Sequence, residues 1–372
     1  MRRLSLLLVF LSGPVWAQGD TAATAAAAAE RLEAAAVLLN EAGSSRDRVA
    51  ALTETVQAYE DGLVALRDGL RRAAIRERAL RTELEARSEE VGELLAALQI
   101  MGRAPAPLLL LHPSGPLGTA RSGMLVSEVT PAVQTRVDAL RADLEEVTQL
   151  RDLQVSAAET LQEGLVGAQE ARSQLANAIQ NRTDLPRRFT EDPVATAVLI
   201  ASTETLDAFA SGLADVVDRE LAGPVPDATD RKGTLPLPVQ GEVIRRAGEA
   251  DAAGIVRPGI VIAARPRSLV TTPAAATIRF RGPLLDYGNV IILEPAADVL
   301  FVIAGLAEVF GEAGQVIPEG APLGLMGGST PGVDAILTET LTTGAGSRSE
   351  TLYLEVREGQ SVPDPATWFA IQ

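Results

Sequence analysis

Apolar side chains recur at alternating steps of three and four residues through the first third of the chain. This spacing places them on one stripe of an α-helix and is typical of a coiled coil. Glu77 and Arg87 interrupt the series. A helix over residues 49–101 would be roughly 80 Å long at 1.5 Å per residue. The stripe consists of Val49, Leu52, Val56, Tyr59, Leu63, Leu66, Leu70, Ala73, Leu80, Leu84, Val91, Leu94 and Leu98.

A second series with the same spacing follows, and Arg151, Gln154 and Arg172 are its polar exceptions. Two such helices joined by a break favour an antiparallel hairpin, which we assign to residues 18–189. A parallel dimer, in which each helix pairs with its own copy, is the alternative that the sequence leaves open. The second stripe consists of Val133, Val137, Leu140, Leu144, Val147, Ala158, Leu161, Leu165, Ala168, Leu175 and Ile179.

The break between the two series, residues 102–131, contains five prolines, the last of which is Pro131. Because proline lacks the amide that a helix needs, we predict a non-helical tip there, apart from a short helix over 119–129. The tip is rich in apolar residues, which would either dock a partner or cap the core of the hairpin itself. The tip residues that we assign to a partner surface are Leu109, Leu110, Leu111, Met124 and Leu125.

The first 17 residues have the order of a secretory signal. Arg2 and Arg3 form a basic start, an apolar run follows, and small residues precede a cleavage site after Ala17. We therefore expect an exported protein without a transmembrane segment in its mature chain. The absence of cysteine fits an oxidising compartment, although it also fits many cytosolic proteins.

The charge of the chain excludes one class of partner. Its formal net charge is −16, and Lys232 is its single lysine. A chain with this balance offers no basic patch for nucleic acid, so we expect no nucleic-acid partner. Aromatic residues make up 3% of the chain, which is too few for an extended sugar-stacking surface.

Three further segments complete the α+β multidomain fold that we predict. Pro193 and the apolar residues after it indicate an amphipathic helix over 193–221, within a regulatory segment at 190–222. Residues 223–236 are a Gly/Pro-containing linker. Residues 237–372 contain short β-type runs between Gly/Pro turns, which predict a compact β-rich domain.

This last domain resembles the LytM-like (lysostaphin-type) peptidoglycan endopeptidases. The resemblance rests on Trp368 and on segments 257–263 (RPGIVIA), 287–292 (YGNVII), 314–320 (GQVIPEG) and 352–357 (LYLEVR). It implies a domain of the duplicated hybrid motif type. Active members of the family carry zinc-binding and catalytic His and Asp residues in these motifs. The corresponding positions here are Arg257, Val261, Gly305, Thr351 and Tyr353.

The replaced residues predict a domain without catalysis. Zinc in proteins is held by imidazole, carboxylate or thiolate groups, and catalytic sites use three of them. The chain has no cysteine and a single histidine, His112, far from these motifs. We therefore expect no catalytic residues, no metal and no cofactor.

The order of signal, coiled coil, intermediate helix and altered LytM-like domain resembles the EnvC-like murein hydrolase activators of Gram-negative bacteria. The resemblance implies a periplasmic protein of cell division. The altered domain would bind an N-acetylmuramyl-L-alanine amidase, and the coiled coil would bind the periplasmic loop of FtsX in the FtsE–FtsX complex. The intermediate helix would restrain the domain at rest.

Carried onto this sequence, the resemblance implies an amidase-binding groove with two tyrosines and an arginine beside aliphatic residues. Tyr287 and Val290 fit a strand core equally well. Two other functions stay open, an active peptidoglycan endopeptidase and a structural coiled-coil adaptor of the envelope. The implied groove residues are Val261, Tyr287, Val290, Tyr353 and Arg357.

Overall fold

The computed structural model divides the chain into two compact units. The first comprises Met1–Ala65, Gln162–Ala335 and Gly344–Gln372, and the second comprises Leu66–Leu161 and Ile336–Thr343. The predicted signal at 1–17 lies outside the described residues. Within the described part of the chain, no helix has both the length and the apolar character needed to cross a bilayer. The described residues are 19–87, 89, 92, 93, 96, 115–182, 185–188, 196, 197, 199, 200, 208–210, 226–330, 332 and 349–371.

Among its described residues, the N-terminal region contains three long helices: α1 (Gly19–Glu41), α2 (Ser45–Ala86) and α3 (Gly115–Gln180). Ser44 caps α2, because its hydroxyl accepts the Asp47 amide at 3.1 Å. Helices α2 and α3 contact each other in both units. In the first unit Arg172 pairs with Glu60, and in the second unit Arg151 and Gln154 bind Glu77.

The prediction of a non-helical tip is wrong for residues 115–118, 130 and 131, which belong to α3, whereas the short helix predicted over 119–129 lies within α3. Pro131 removes only one backbone hydrogen bond, and the Thr135 hydroxyl donates to its carbonyl at 2.9 Å. An interior proline costs about 3 kcal/mol, a local penalty that a helix of 66 residues tolerates. Met124 is 73% exposed on this helix. Residues 102–114, with Leu109, Leu110 and Leu111, and the side chain of Leu125 lie outside the described residues.

The C-terminal domain is a nine-stranded antiparallel sheet with strand order β1-β2-β9-β6-β5-β4-β7, in which β8 pairs with both β3 and β6. This agrees with the β-rich domain predicted from the sequence. The strands are β1 (Gly241–Arg245), β2 (Ile260–Ala264), β3 (Leu269–Thr271), β4 (Ala276–Pro283), β5 (Asn289–Ala296), β6 (Val299–Val309), β7 (Val316–Ile317), β8 (Pro322–Met326) and β9 (Glu350–Glu358).

Both faces of β5 and β6 are buried, and these two strands are accordingly apolar at most positions. Successive residues of β5 alternate between two clusters, with Ile291 in the larger one and Val290 and Ile292 in the smaller one. Trp368 and Phe369 close the larger cluster by packing on Phe301, at ring-centroid distances of 5.4 and 5.1 Å. The smaller cluster contains the candidate site.

Candidate functional site

Three neighbouring strands bring together the positions that the sequence resemblance aligns with the catalytic residues of active members. Val261 on β2 and Ala304 on β6 both pair with Tyr353 on β9. Gly305 follows Ala304 directly, and Thr351 lies two residues before Tyr353 on β9. Arg257 reaches the same place because it lies three residues before β2. The sequence motifs therefore identified residues on three adjacent strands of the sheet, β2, β9 and β6, and a residue just before β2.

The chemical groups at these positions do not fit a zinc ion. Arg257 is a permanent cation and Val261 has no lone pair to donate. The Tyr353 hydroxyl is already engaged, since it accepts the Gly259 amide at 3.1 Å and donates to Glu355 at 2.6 Å. Burial, followed by the charge of Glu355, raises the pKa of Tyr353 far above its ordinary value, so the phenol keeps its proton. We derive no chemical step through a metal from this arrangement.

Gly305 occupies a backbone conformation that a histidine would not adopt readily. Its φ is +97°, and a Cβ atom built on it would lie 2.5 Å from the Thr351 carbonyl oxygen. This distance is well inside van der Waals contact, so any side chain requires β6 or β9 to shift.

A buried hydrogen-bonded chain runs along β9 from Tyr353 through Glu355 to Arg357. These residues alternate along the strand and therefore share a face. Glu355 accepts from the Tyr353 hydroxyl at 2.6 Å and from Arg357 Nε at 2.7 Å. Burial raises the pKa of Glu355, although the Tyr353 hydrogen bond opposes this, and burial lowers the pKa of Arg357. These hydrogen bonds hold the Tyr353 side chain in one orientation.

Arg357 was predicted to contact a partner in the groove, and that role stays a prediction. Arg357 is only 2% exposed in this conformation, and its Nε donates a hydrogen bond to Glu355. The contribution to the groove that is visible here is indirect. Arg357 holds Glu355, and Glu355 holds the hydroxyl of Tyr353.

Phe209 from the predicted regulatory helix packs in the smaller cluster. It is fully buried, and its ring meets Phe280 edge to face at a centroid distance of 4.7 Å. The described residues of segment 190–222 (196, 197, 199, 200 and 208–210) are helical, and Leu199 and Ile200 also pack against the cluster. Residues of segment 190–222 thus complete this cluster from within the same chain.

Four of the five predicted groove residues belong to this packing: Val290 and Tyr353 are buried in the cluster, and Val261 and Tyr287 pack against it. The sequence reasoning missed Phe280 and Leu284, which contribute to the same cluster. Residues of β4 are buried continuously from Ala276 to Phe280, so no alternation distinguished Phe280 as a groove residue.

A cationic rim borders the groove. The guanidinium carbon of Arg257 lies 5.3 Å from the centroid of the Tyr287 ring, within the range of a cation–π contact. The Tyr287 and Tyr353 rings are 6.2 Å apart. An aliphatic and aromatic floor with a positive edge can bind an apolar helix or loop, a common mode of peptide recognition.

Comparison with known proteins covers the C-terminal part of the chain. The uncharacterised protein NMB1333 of Neisseria meningitidis serogroup B is 24% identical over 137 residues. That match spans 37% of this chain and only 20% of the length of the Neisseria protein.

Solved structures match over a similar share of the chain. A zinc-containing peptidase of Vibrio cholerae is 15% identical with a TM-score of 0.27, covering 38% of this chain and 40% of that one. The lysostaphin catalytic domain of Staphylococcus simulans is 16% identical with a TM-score of 0.26, covering 34% and 89%. Csd3 of Helicobacter pylori is 17% identical with a TM-score of 0.28, covering 37% and 34%.

The profile of peptidase family M23 matches residues 256–365. This range contains Arg257, Val261, Gly305, Thr351 and Tyr353, the five positions that the sequence motifs singled out. It leaves α1, α2 and α3 outside. Residues 256–365 therefore form an M23 (LytM-like) peptidase-family domain, carried on a chain with a helical N-terminal region.

Proposed function

We propose that this protein is a non-catalytic, periplasmic activator of N-acetylmuramyl-L-alanine amidases that split the cell wall during division. One observation carries the proposal. Phe209 packs in the apolar cluster of an M23 domain of the same chain, and the sequence resemblance implies that all five catalytic positions of that domain are altered. A groove that has lost its chemistry but retains a specific apolar ligand is a binding site.

The chemistry of the altered positions supports a role without catalysis. Hydrolysis in this family needs a zinc ion, and Arg257 would repel a cation at the position of a first-motif ligand. The Tyr353–Glu355–Arg357 chain ties the last-motif ligand position to the sheet. Glu355 thus orients a neutral phenol that rests against the groove floor.

The covering helix supports regulation by competition. A partner that uses the same apolar cluster can bind only after Phe209 leaves it. Such a partner, or a second protein that displaces the helix, must favour the open form by about 5.5 kcal/mol to reverse a 99:1 equilibrium. The proposed displacing signal is the FtsX periplasmic loop of the FtsE–FtsX complex, acting on the helical region whose tip includes the exposed Met124.

A dye-release assay on labelled peptidoglycan tests the proposal with the full chain and the periplasmic amidase of the same organism. The full chain alone should release no dye. Phe209→Ala removes most of the buried ring, and truncating a buried Phe typically costs 3–5 kcal/mol of packing. Because that packing exists only when the groove is covered, we expect Phe209→Ala to raise amidase activity at least about tenfold over the unaltered chain.

Ile255→Ala is the matched control, since Ile255 is an aliphatic residue of the same domain that is exposed. It should leave amidase activity unchanged. Dye release by the chain without amidase would identify an active endopeptidase instead. No stimulation by either the unaltered chain or Phe209→Ala would favour a structural adaptor of the envelope.

A further inference from the structure

The first unit joins parts of α2 and α3 to the β-sheet in one apolar cluster. We call these helix segments, residues 49–63 of α2 and 164–179 of α3, the helix root. Leu269 on β3 and Leu325 on β8 are buried against them. The root side of the cluster contains Val49, Leu52, Val56, Ala171 and Leu175.

A buried carboxylate lies at this junction. Glu60 of α2 is 9% exposed, and its Oε1 atom accepts from Arg172 Nη2 of α3 and from the Leu269 amide of β3, both at 2.9 Å. One oxygen atom therefore connects two helices and a strand. Burial raises the pKa of Glu60, and the charge and hydrogen bond of Arg172 oppose that rise.

This ion pair is incompletely satisfied. The Arg172 Nε atom is buried and has no hydrogen-bond partner in the described part of the chain. A buried ion pair in which one hydrogen-bond donor has no acceptor contributes little net stability. Removal of one partner is nevertheless costly, because it leaves the other charge buried without a counter-charge. Such a pair specifies one arrangement of its elements more than it strengthens that arrangement.

The register of the two helices is also fixed sterically at the root. A Cβ atom at Gly167 would lie 2.5 Å from the Tyr59 hydroxyl oxygen, so any larger residue there would force the Tyr59 ring to move. A slide of α3 by one turn, about 5.4 Å along its axis, would bring Glu163 or Ala171 to the position of Gly167 beside Tyr59. The same slide would pull Arg172 away from Glu60.

Backbone pairing connects the strands that contact the helix root to a strand that contributes to the groove. Leu269 on β3 pairs with Leu325 on β8, and the next residue, Met326, pairs with Leu306 on β6. Two residues before Leu306, Ala304 lies in the cluster that buries Phe209. The root therefore rests on strands that are hydrogen-bonded to the strand beneath the covering helix.

We propose that Glu60 and Arg172 form a register lock, which keeps Phe209 in the groove while α2 and α3 hold their resting register. Movement of the α3 segment of the helix root along the α2 segment separates Arg172 from Glu60 and releases the Leu269 amide. Strands β3 and β8 then shift, and β6 shifts with them because it is hydrogen-bonded to β8. The form with Phe209 packed in the groove is thereby destabilised. The register lock rests on the proposed function, to which it adds the regulating contact.

Glu60→Gln in the full chain tests the register lock with little change in volume. It removes the charge that holds Arg172 and weakens the acceptor for the Leu269 amide. We expect amidase activation to rise about fivefold or more, in the usual range of coupling between sites. Hydrogen exchange should quicken at residues 269–271 and 208–210. Glu54→Gln is the matched control, because Glu54 pairs with Arg31 on the more exposed side of α2 and should change neither measurement.

Combination with Phe209→Ala separates the register lock from the proposed function. If the lock acts through Phe209, Glu60→Gln adds nothing to Phe209→Ala, so the two changes are non-additive. Wild-type activation and exchange in Glu60→Gln would overturn the lock and leave the activator role standing. Failure of Phe209→Ala itself to activate would overturn both.

A second variant serves if Glu60→Gln does not fold. Arg172→Lys keeps the positive charge, but its point-like ammonium replaces the fixed guanidinium fork. We expect faster exchange at residues 269–271 and a smaller rise in activation than for Glu60→Gln. Unchanged exchange in a folded Arg172→Lys protein would overturn the lock.

Discussion

Two buried glutamates of the first unit differ in how far away along the sequence their partners lie. Glu355 in the groove is held by Tyr353 and Arg357, which lie two residues away on either side along β9. Glu60 at the helix root is held by Arg172 and Leu269, which are 112 and 209 residues away in sequence. Burial raises the pKa of both carboxyl groups.

The difference in sequence separation indicates a difference in task. The Glu355 contacts form whenever β9 is extended, so they preserve the shape of the groove under all arrangements of the helices. The Glu60 contacts exist only when α2, α3 and β3 are docked together. A local network gives rigidity, whereas a network between distant elements responds to their relative position.

The largest expected effect comes from breaking the local network. Glu355→Ala leaves the Tyr353 hydroxyl and the Arg357 guanidinium buried without their shared acceptor, which should cost about 3–5 kcal/mol of unfolding free energy. Urea unfolding of the full chain, followed by Trp368 fluorescence, measures it. Glu308→Ala removes a half-exposed partner of Arg267 and should cost under about 1 kcal/mol. Equal losses for the two variants would contradict the structural role of Glu355.

A smaller loss of unfolding free energy is expected when a side chain is introduced at Gly305. Gly305→Ala forces a Cβ atom against the Thr351 carbonyl at positive φ, so we expect a loss of about 2–4 kcal/mol. Gly248→Ala is the control, because Gly248 also has positive φ (+79°) but nothing lies within 4 Å of its Cβ position. It should cost about 1 kcal/mol, from the backbone conformation alone. Thermal unfolding of both variants checks the difference, and equal shifts would show that the close contact is relieved at no cost.

The smallest effect concerns a partly exposed carboxylate of the second unit. Hydrogen bonds from Arg151 Nε (3.0 Å) and Gln154 (3.2 Å) lower the pKa of Glu77. A lowered folded-state pKa gives stability that is present above the unfolded pKa, about 4.3, and is lost as the pH falls through the folded value.

Urea unfolding of the helical signal between pH 5.5 and 3 measures this loss, which should stay below about 1 kcal/mol. Glu77→Gln should flatten the dependence on pH, whereas Glu85→Gln, an exposed residue of the same helix, should preserve it. A Glu77→Gln protein with the original pH dependence would contradict the assignment.

The sequence predicted those features that depend on spacing along the chain. The heptad pattern indicated helices over both series, and the motifs from Arg257 to Trp368 indicated the LytM-like domain that the family match supports. The helical start at Gly115 was missed because Pro131 was taken as a barrier, whereas a long helix absorbs one missing hydrogen bond.

Contacts between distant segments could not be predicted. Glu60 does not fall on the apolar stripe of its helix, and its strand partner Leu269 shares no local pattern with it. Arg172 was visible only as a polar interruption of a stripe. Likewise, the alternation of Tyr353, Glu355 and Arg357 could be read from the sequence, but the burial of all three depends on segments that cover β9.

The shared cluster at the helix root also bears on the order in which the protein can fold. Synthesis delivers Val49, Leu52 and Val56 more than two hundred residues before Leu269 and Leu325, which cover them. Until β3 and β8 have formed, the helix root exposes its apolar side chains to solvent, and Glu60 lacks the hydrogen bond from the Leu269 amide. The N-terminal helices therefore reach their final packing late, and proteolysis or chaperone binding before folding is complete would act on this face first.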